Sequence, residues 1–433
     1  MKKLLLLLLP VLGYSQGYTS YFTGNTTNIT TNPEFGVCMM GGAAVQDNAM
    51  IWLLQKANGG DVVVLRCSGG NEENVYMSGL GVTVNSIETL VITSVAGATN
   101  PYVLDKVANA EMIWFADGNQ WDYISFFKDN ALEDLINYHI NDKHSPVGGA
   151  GAGMSILGEN YFTAQNGNVT SAEALNNPYN ANVTIGGFAP VPPFYSFLSV
   201  PGLGNVITDS HYDNPDGRGR HLTFMARILK DMISPGTSGI GCNEHTAICF
   251  GADMIGHVYG NYPSSQDYAY FIQPSCFWAT PGPYCNSGQP LTWGGLMTYV
   301  VPGTPNGENY FKVNDWGNFW SINYAGGSWE DWAVVGGVLS TSSGIGPIMS
   351  CALAVDEHEL NKFNALPNPF SNYIRLENAE NTMVEIYDGL GKRVFADSNF
   401  TTNTIDTSQF SSGLYFVKIQ KDGKFTTKKM VKN

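Results

Sequence analysis

Between residues 149 and 153 the chain reads Gly149-Ala150-Gly151-Ala152-Gly153, and no other stretch limits its conformation so tightly. The pattern has the frame of G-x-S-x-G, in which a buried strand turns abruptly into a helix and exposes a nucleophile at the strained corner. Its flanking glycines suit a turn too tight to admit Cβ atoms. Met154, Ile156 and Leu157 follow, as the apolar face of a short helix behind the turn would. Glycine stands at 151, where the frame calls for a hydroxyl. The segment is laid out for covalent catalysis and lacks its attacking oxygen. The plain alternative is a Gly/Ala-rich loop, since such runs are common turn material.

A length of 433 residues suggests two or three domains, because single cores seldom grow far beyond ~250–300 residues. At 43% hydrophobic and 14% charged the chain is globular. Its formal charge of −15, with no basic stripe, disfavours nucleic acid as a partner. Met1-Lys2-Lys3, the apolar run Leu4 to Leu12, and Gly13 and Ser15 before Gln16 read as a signal peptide over residues 1–15. The run is far shorter than the ~20 apolar residues of a membrane span. Export without a membrane span is expected. Seven cysteines fit an oxidising destination, and Cys276 with Cys285 is the best candidate pair. Cys242 and Cys249 read as core residues of one strand-like stretch. No C-x-x-C or His-x-x-x-His is present, so neither a metal nor another cofactor is expected.

Residues 17 to about 37 are rich in Thr, Asn and Gly and read as a loose leading segment. Residues 46–57 carry Ile51, Leu53 and Leu54 on a helical face. Val62 to Leu65 is a continuous apolar run of the kind found in buried parallel strands. Leu90 to Ile92 and Met112 to Phe115 repeat it, and Trp121 to Ile140 has the spacing of an amphipathic helix. This order predicts an α/β fold with a doubly wound, mainly parallel sheet. Ligands on such sheets bind at the carboxyl ends of strands, where the 149–153 turn and the loop after Phe115 fall.

Two further clusters carry chemistry. Asp209-Ser210-His211-Tyr212 follows the strand-like Val206-Ile207-Thr208, placing a histidine where a general base could stand. An exposed loop histidine is the ordinary alternative, and a calcium loop from Asp209, Asp213 and Asp216 does not match EF-hand spacing. In Gly241-Cys242-Asn243-Glu244-His245-Thr246-Ala247 a carboxylate sits among apolar neighbours, suited to orienting a histidine.

Taken with Phe115-Ala116-Asp117-Gly118-Asn119-Gln120, these segments resemble, in order and spacing, four motifs of the cyanophycinase and aspartyl-dipeptidase family of serine peptidases. They correspond to the family's F-x-G-G-D-Q, G-T-S-A-G-A, D-Q-H-F and G-I-D-E-x-T-A. The resemblance covers roughly residues 38–350 and implies a class I glutamine-amidotransferase-like sheet. It makes Gly151 the nucleophile position, His211 the base and Glu244 its acid. It also implies oxyanion donors at Gly118 and Ala152, and substrate contacts from Gln120, Asp209, Ser210 and Arg220. The implied reaction is serine-type hydrolysis of β-aspartyl or other short acidic peptides. The departures are as informative. Pro215 and Gly217 occupy places of the family's arginines, Arg218 is displaced, and Ser210 replaces a glutamine. Losing a triad nucleophile costs on the order of a millionfold in turnover. Ser155, the nearest hydroxyl, should lie a turn into the helix, pointing away from the oxyanion donors. The expectation is an impaired catalyst. Its alternatives are a non-catalytic peptide-binding protein, or an adhesion or glycan-binding protein using the aromatic-rich region from Asp253 to Gly346.

A linker at 351–365 should lead to a small all-β sandwich over 366–433, whose short strands recur at roughly ten-residue spacing. Leu366-Pro367-Asn368-Pro369-Phe370, Gly413-Leu414-Tyr415-Phe416-Val417-Lys418-Ile419 and the tail Lys428-Lys429-Met430-Val431-Lys432 resemble the type A sorting domain of the Bacteroidetes type IX secretion system. The resemblance implies the type IX machinery as a partner, and secretion or surface delivery.

Overall fold

The computed structural model describes residues 16–187, 196–231, 236–274, 282–314, 316, 324–344, 364–389, 392–421 and 424–433. The expected signal peptide, most of the linker and Cys276 lie outside these residues. Two compact units divide the chain, Met1–Ile348 and Met349–Asn433.

The first unit begins with β1 (Tyr18–Gly24), β2 (Val37–Met40), α1 (Asp47–Lys56), β3 (Asp61–Arg66), α2 (Glu72–Gly79) and β4 (Ser86–Ile92). It continues with α3 (Val95–Ala98), α4 (Pro101–Asn109), β5 (Met112–Phe115), α5 (Gln120–Phe127), α6 (Ala131–Asn141) and β6 (Val147–Ala150). Strands β4-β3-β5-β6-β2 form a parallel ladder in that order. Alternation along each strand divides the apolar runs between two cores. Val62, Val64, Met112 and Trp114 pack with Met50, Leu53 and Leu54 of α1. Val63, Leu65, Ile113 and Phe115 face the opposite core. Three helices start where asparagines cap them: Asn100, Asn119 and Asn130 accept from the N–H groups of Tyr102, Trp121 and Leu132.

The leading segment is ordered rather than loose. β1 pairs antiparallel with β4 from Tyr18↔Ile92 to Gly24↔Ser86 and forms the sheet edge. Its Thr, Tyr and Phe residues suit a pleated edge strand.

Past the 149–153 turn come α7 (Ala152–Ser155), β7 (Asn160–Phe162), α8 (Ser171–Asn176), β8 (Ile185–Gly186), β9 (Val206–Asp209), α9 (Arg218–Asp231) and β10 (Ser238–Cys242). Then follow β11 (Ala247–Phe250), β12 (Ile255–Tyr259), β13 (Tyr268–Pro274) and β14 (Trp293–Pro302). The unit closes with β15 (Asn309–Lys312), β16 (Tyr324–Ala325), β17 (Ser328–Val335) and β18 (Val338–Ser343). Here the architecture departs from one mainly parallel sheet. β11, β12, β15 and β16 extend the first sheet beyond β2 by antiparallel pairing. A second sheet runs β18-β17-β14-β13-β10-β9-β7-β8, with parallel pairing only at β10/β9 and β7/β9. Where the connection is short, as from β11 to β12 and from β17 to β18, only antiparallel pairing is open, since parallel neighbours need a crossover. Cys242 and Cys249 accordingly belong to two strands in different sheets, and both are buried thiols. Cys285 is likewise a buried free thiol, and its candidate partner Cys276 lies outside the described residues.

Aromatic side chains from the later strands fill the space between and behind the sheets. Phe271 stacks on Phe311 at 4.5 Å, and Tyr299 contacts both Tyr324 and Trp329. Trp293 and Trp332 are buried in the core behind the second sheet.

The second unit is all β. A three-stranded sheet (Asn364–Leu366, Tyr373–Glu377, Thr404–Asp406) and a four-stranded sheet (Thr382–Asp388, Arg393–Phe400, Gly413–Lys421, Lys424–Lys432) enclose one core. Its final strand runs beside Gly413–Lys421, and the buried Lys432 ammonium donates to the carbonyls of Ser371 and Thr407.

Candidate functional site

Chain direction brings three loops to one corner. β6 ends at Ala150, α7 begins at Ala152, and Gly151 between them sits at φ 52°, ψ −116°. Such a backbone is accessible to glycine and strained for other residues. Gly151 N–H donates to Met40 O (3.0 Å), and the neighbouring turn is equally tight. A Cβ on Gly153 would strike the Phe115 carbonyl. The frame read from the sequence is therefore a true strand–corner–helix turn.

His211 follows β9 and is anchored by donation from its N–H to Gly41 O (2.8 Å). Glu244 lies in the turn between β10 and β11, where the chain passes from the second sheet to the first. Its Oε1 is 2.8 Å from His211 Nδ1. Asn214 Nδ2 donates to its Oε2 (3.3 Å), and the Glu244 N–H donates to Asp213 Oδ1 (2.8 Å). The other face of the imidazole meets a residue that the sequence reading passed over. Asp117, two residues past β5, places Oδ2 3.3 Å from His211 Nε2. Its Oδ1 accepts from Ala152 N–H (2.9 Å) and Gly118 N–H (2.8 Å).

These two N–H groups are those the resemblance proposes as oxyanion donors. The Asp117 carboxylate fills the position facing them, and a Cβ built on Gly151 would collide with it. The signal was present in the sequence. Aspartate stands at 117 where the family pattern F-x-G-G-D-Q has its first glycine, and serine is missing thirty-odd residues later. The absence of a side chain at 151 leaves the room that the Asp117 carboxylate fills.

The remaining candidates fall into two groups. Gln120 lines the pocket beside Asp117 and donates through Nε2 to Phe162 O (3.2 Å). Asp209 and Arg220 turn their charges on one another. Arg220 Nε and Nη2 each donate to a different Asp209 oxygen at 2.9 Å, and both side chains are nearly fully buried. Nη2 also donates to Ser210 O (3.0 Å), and Nη1 to Asn168 Oδ1 (3.2 Å). Ser210 and Ser155 are buried and share a hydrogen bond, Oγ to Oγ at 2.8 Å. Arg218 is held by Asp216. The three aspartates of the conceivable calcium loop are thus committed to Arg220, Glu244 N–H and Arg218. Among the described residues no cluster of three or more His, Cys, Asp or Glu is arranged to hold a metal.

Electrostatics follow from the contacts. The hydrogen bond with Asp117 leads in raising the His211 imidazole to about 9, opposed by burial and reinforced by Glu244. Burial would raise the Asp117 carboxyl, but His211 and the two backbone donors outweigh it and hold it below the ordinary value. Glu244 is lowered chiefly by its hydrogen bond with His211. At neutral pH the trio is carboxylate, imidazolium, carboxylate. An imidazolium has no lone pair with which to act as a base.

The raised histidine stabilises the fold fully below its ordinary value of ~6.5, and that contribution is lost as pH rises through about 9. The lowered carboxylates contribute above their ordinary values of ~4 and lose that contribution as pH falls through their depressed ones. In a proton NMR titration the His211 Hε1 resonance should therefore move near pH 9, and in Asp117→Asn at clearly lower pH. Titration of the wild-type ring near its ordinary value would show that the contact does not persist in solution.

Among the described residues no helix is long and apolar enough to cross a membrane. Comparison with curated proteins gives no match. The solved structures similar to the chain include two described as peptidases. One is a peptidase from an acI-B1 Actinobacterium, 15% identical with a TM-score of 0.36, over 53% of this chain and 89% of that one. The other is a putative peptidase E protein from Listeria monocytogenes EGD-e, 14% identical with a TM-score of 0.34, over 53% of this chain and 99% of that one. Residues 364–433, the all-β unit, match the family model of the secretion system C-terminal sorting domain. A domain of that kind directs its chain through the periplasm and outer membrane, and this protein is exported by that route to the cell surface or the medium.

Proposed function

We propose that this exported protein is a peptidase-fold receptor for β-aspartyl or other short acidic peptides, from which serine-type hydrolysis has been lost. One observation carries the reading: the Asp117 carboxylate occupies the corner between Gly151 and the N–H groups of Ala152 and Gly118. A substrate carbonyl would need those donors, and an attacking serine would need that space. The nearest hydroxyl does not substitute, because Ser155 Oγ is turned to Ser210. A pocket of about 370 Å³ remains beside the corner, lined by Gln120, Phe162, Asn168, His211, Asn214 and Arg220 among others. It presents the imidazolium of His211 to an anionic group, with the carboxamides of Gln120, Asn168 and Asn214 around it and the Asp209-bound Arg220 shaping its wall. The adhesion reading has less support, since the described tryptophans of the aromatic-rich region pack into the cores instead of forming an exposed row.

Calorimetric titration with β-aspartyl dipeptides should show saturable binding, and chromatography should recover every peptide uncleaved. Hydrolysis by the wild type that His211→Ala abolishes would overturn the loss of catalysis. Absence of saturable binding would overturn the receptor reading.

A further inference from the structure

The carboxylate in the corner is held unevenly. Oδ1 takes both backbone donors, at 2.9 and 2.8 Å, while Oδ2 has only the longer contact to His211 Nε2 at 3.3 Å. Asp117 also borders two cavities. One is the polar pocket already described. The other, about 250 Å³, is lined by Val45, Met50, Tyr76, Met77 and Trp114, and the acids near it, Glu72 and Glu73, are paired with Arg66. The side chain is nearly half exposed, so it can be reached.

We propose that Asp117 is itself a nucleophile, that His211 and Glu244 hydrolyse the ester it forms, and that the substrate is a small apolar molecule carrying an electrophilic sp3 carbon, as in an alkyl halide or an epoxide. The inference rests on the reading that serine chemistry is lost, since it requires the corner to belong to Asp117. Electrophile class follows from the nucleophile. A carboxylate that attacked an amide would form a mixed anhydride, less stable than the amide it came from. At an sp3 carbon it forms an ordinary ester, which the surrounding groups are placed to cleave.

The steps balance. Oδ2 attacks carbon, the carbon–halogen bond breaks and halide leaves with the bonding pair. In an epoxide the carbon–oxygen bond opens, and its oxygen takes the His211 proton. Throughout, Oδ1 keeps its two N–H donors. Esterification removes the negative charge that leads in holding the proton on His211, so with a halide the ring releases that proton to solvent. Neutral His211, oriented by Glu244, then takes a proton from water as its oxygen adds to Cγ. The oxyanion that develops is Oδ1, already on Ala152 and Gly118 N–H. Collapse expels the alkoxide with the original Oδ2, His211 protonates it, and the proton of the new carboxyl returns to the ring, which restores carboxylate and imidazolium. The sum is halide plus water to alcohol plus acid, or epoxide plus water to diol, with nothing oxidised.

The test uses the purified protein, n-hexyl bromide and styrene oxide, under single-turnover conditions in water enriched in the heavy oxygen isotope. Heavy oxygen should enter the peptide bearing Asp117, and the first alcohol or diol released should carry none. His211→Gln should slow ester hydrolysis ~100-fold or more, so that an alkyl adduct on Asp117 accumulates in the intact mass. Asp117→Asn should remove both product and adduct. Response to one probe alone identifies the leaving group. Heavy oxygen in the product with Asp117 unlabelled would overturn the proposal, as would the absence of product and adduct with both probes. Peptide binding in the same preparation reads the receptor proposal separately.

Discussion

Gly151→Ser alone will leave the protein as unreactive toward a serine-directed fluorophosphonate as the wild type, whereas Asp117→Gly combined with Gly151→Ser will be labelled at residue 151. The single change puts a Cβ into the space of the Asp117 carboxylate. Serine must also adopt φ 52°, ψ −116°, a strain of ~1–3 kcal/mol that only a supportive surrounding can hold. In the double variant the corner is vacated, both N–H donors are released, and His211 loses the leading cause of its raised pKa. A neutral imidazole, still held by Glu244 at 2.8 Å, can then accept the serine proton. One oxyanion donor alone is worth ~100-fold or more, so labelling in gel fluorescence should differ between the two variants by at least that factor. Equal labelling would show that Asp117 does not obstruct the corner. Peptide turnover should stay slow even in the double variant, because Pro215 and Gly217 supply no cation and poor positioning alone costs ~100-fold.

Asp209→Ala will destabilise the first unit by about 3–5 kcal/mol, the usual cost of leaving one member of a buried ion pair alone. Arg220 is 8% exposed and Asp209 2%, and the guanidinium makes two of its hydrogen bonds to that carboxylate. Urea unfolding should show the loss as a lower midpoint. Asp209→Leu with Arg220→Met should recover most of it, since well-packed apolar pairs replace such bridges at little cost. A loss below ~1 kcal/mol, the value of an exposed pair, would mean that water reaches the bridge. The result also bears on recognition. An arginine so committed fixes the shape of the pocket more than it attracts an anion.

Local chemistry was legible where the residues that make it are adjacent in sequence. The 149–153 corner, His211 after a strand and Glu244 among apolar neighbours are each short-range patterns, and the parallel strands showed themselves as apolar runs buried on both faces. Pairing between distant segments was not. Nothing in Tyr18–Gly24 names Ser86–Ile92 as its partner, and the split of Gly239–Phe250 between two sheets depends on a turn inside what reads as one strand. Asp117 escaped for a related reason. Within its own loop it is an ordinary polar turn residue. Its meaning depends on the missing side chain at 151, which only tertiary structure brings alongside.

That contact also couples the two positions. A side chain at 151 meets the Asp117 carboxylate, and both can stand only if that carboxylate swings off the Ala152 and Gly118 N–H groups. The two residues therefore behave as one unit. A change at 151 is read through the rotamer that 117 takes up, so the effects of the two single substitutions will not add to that of the pair.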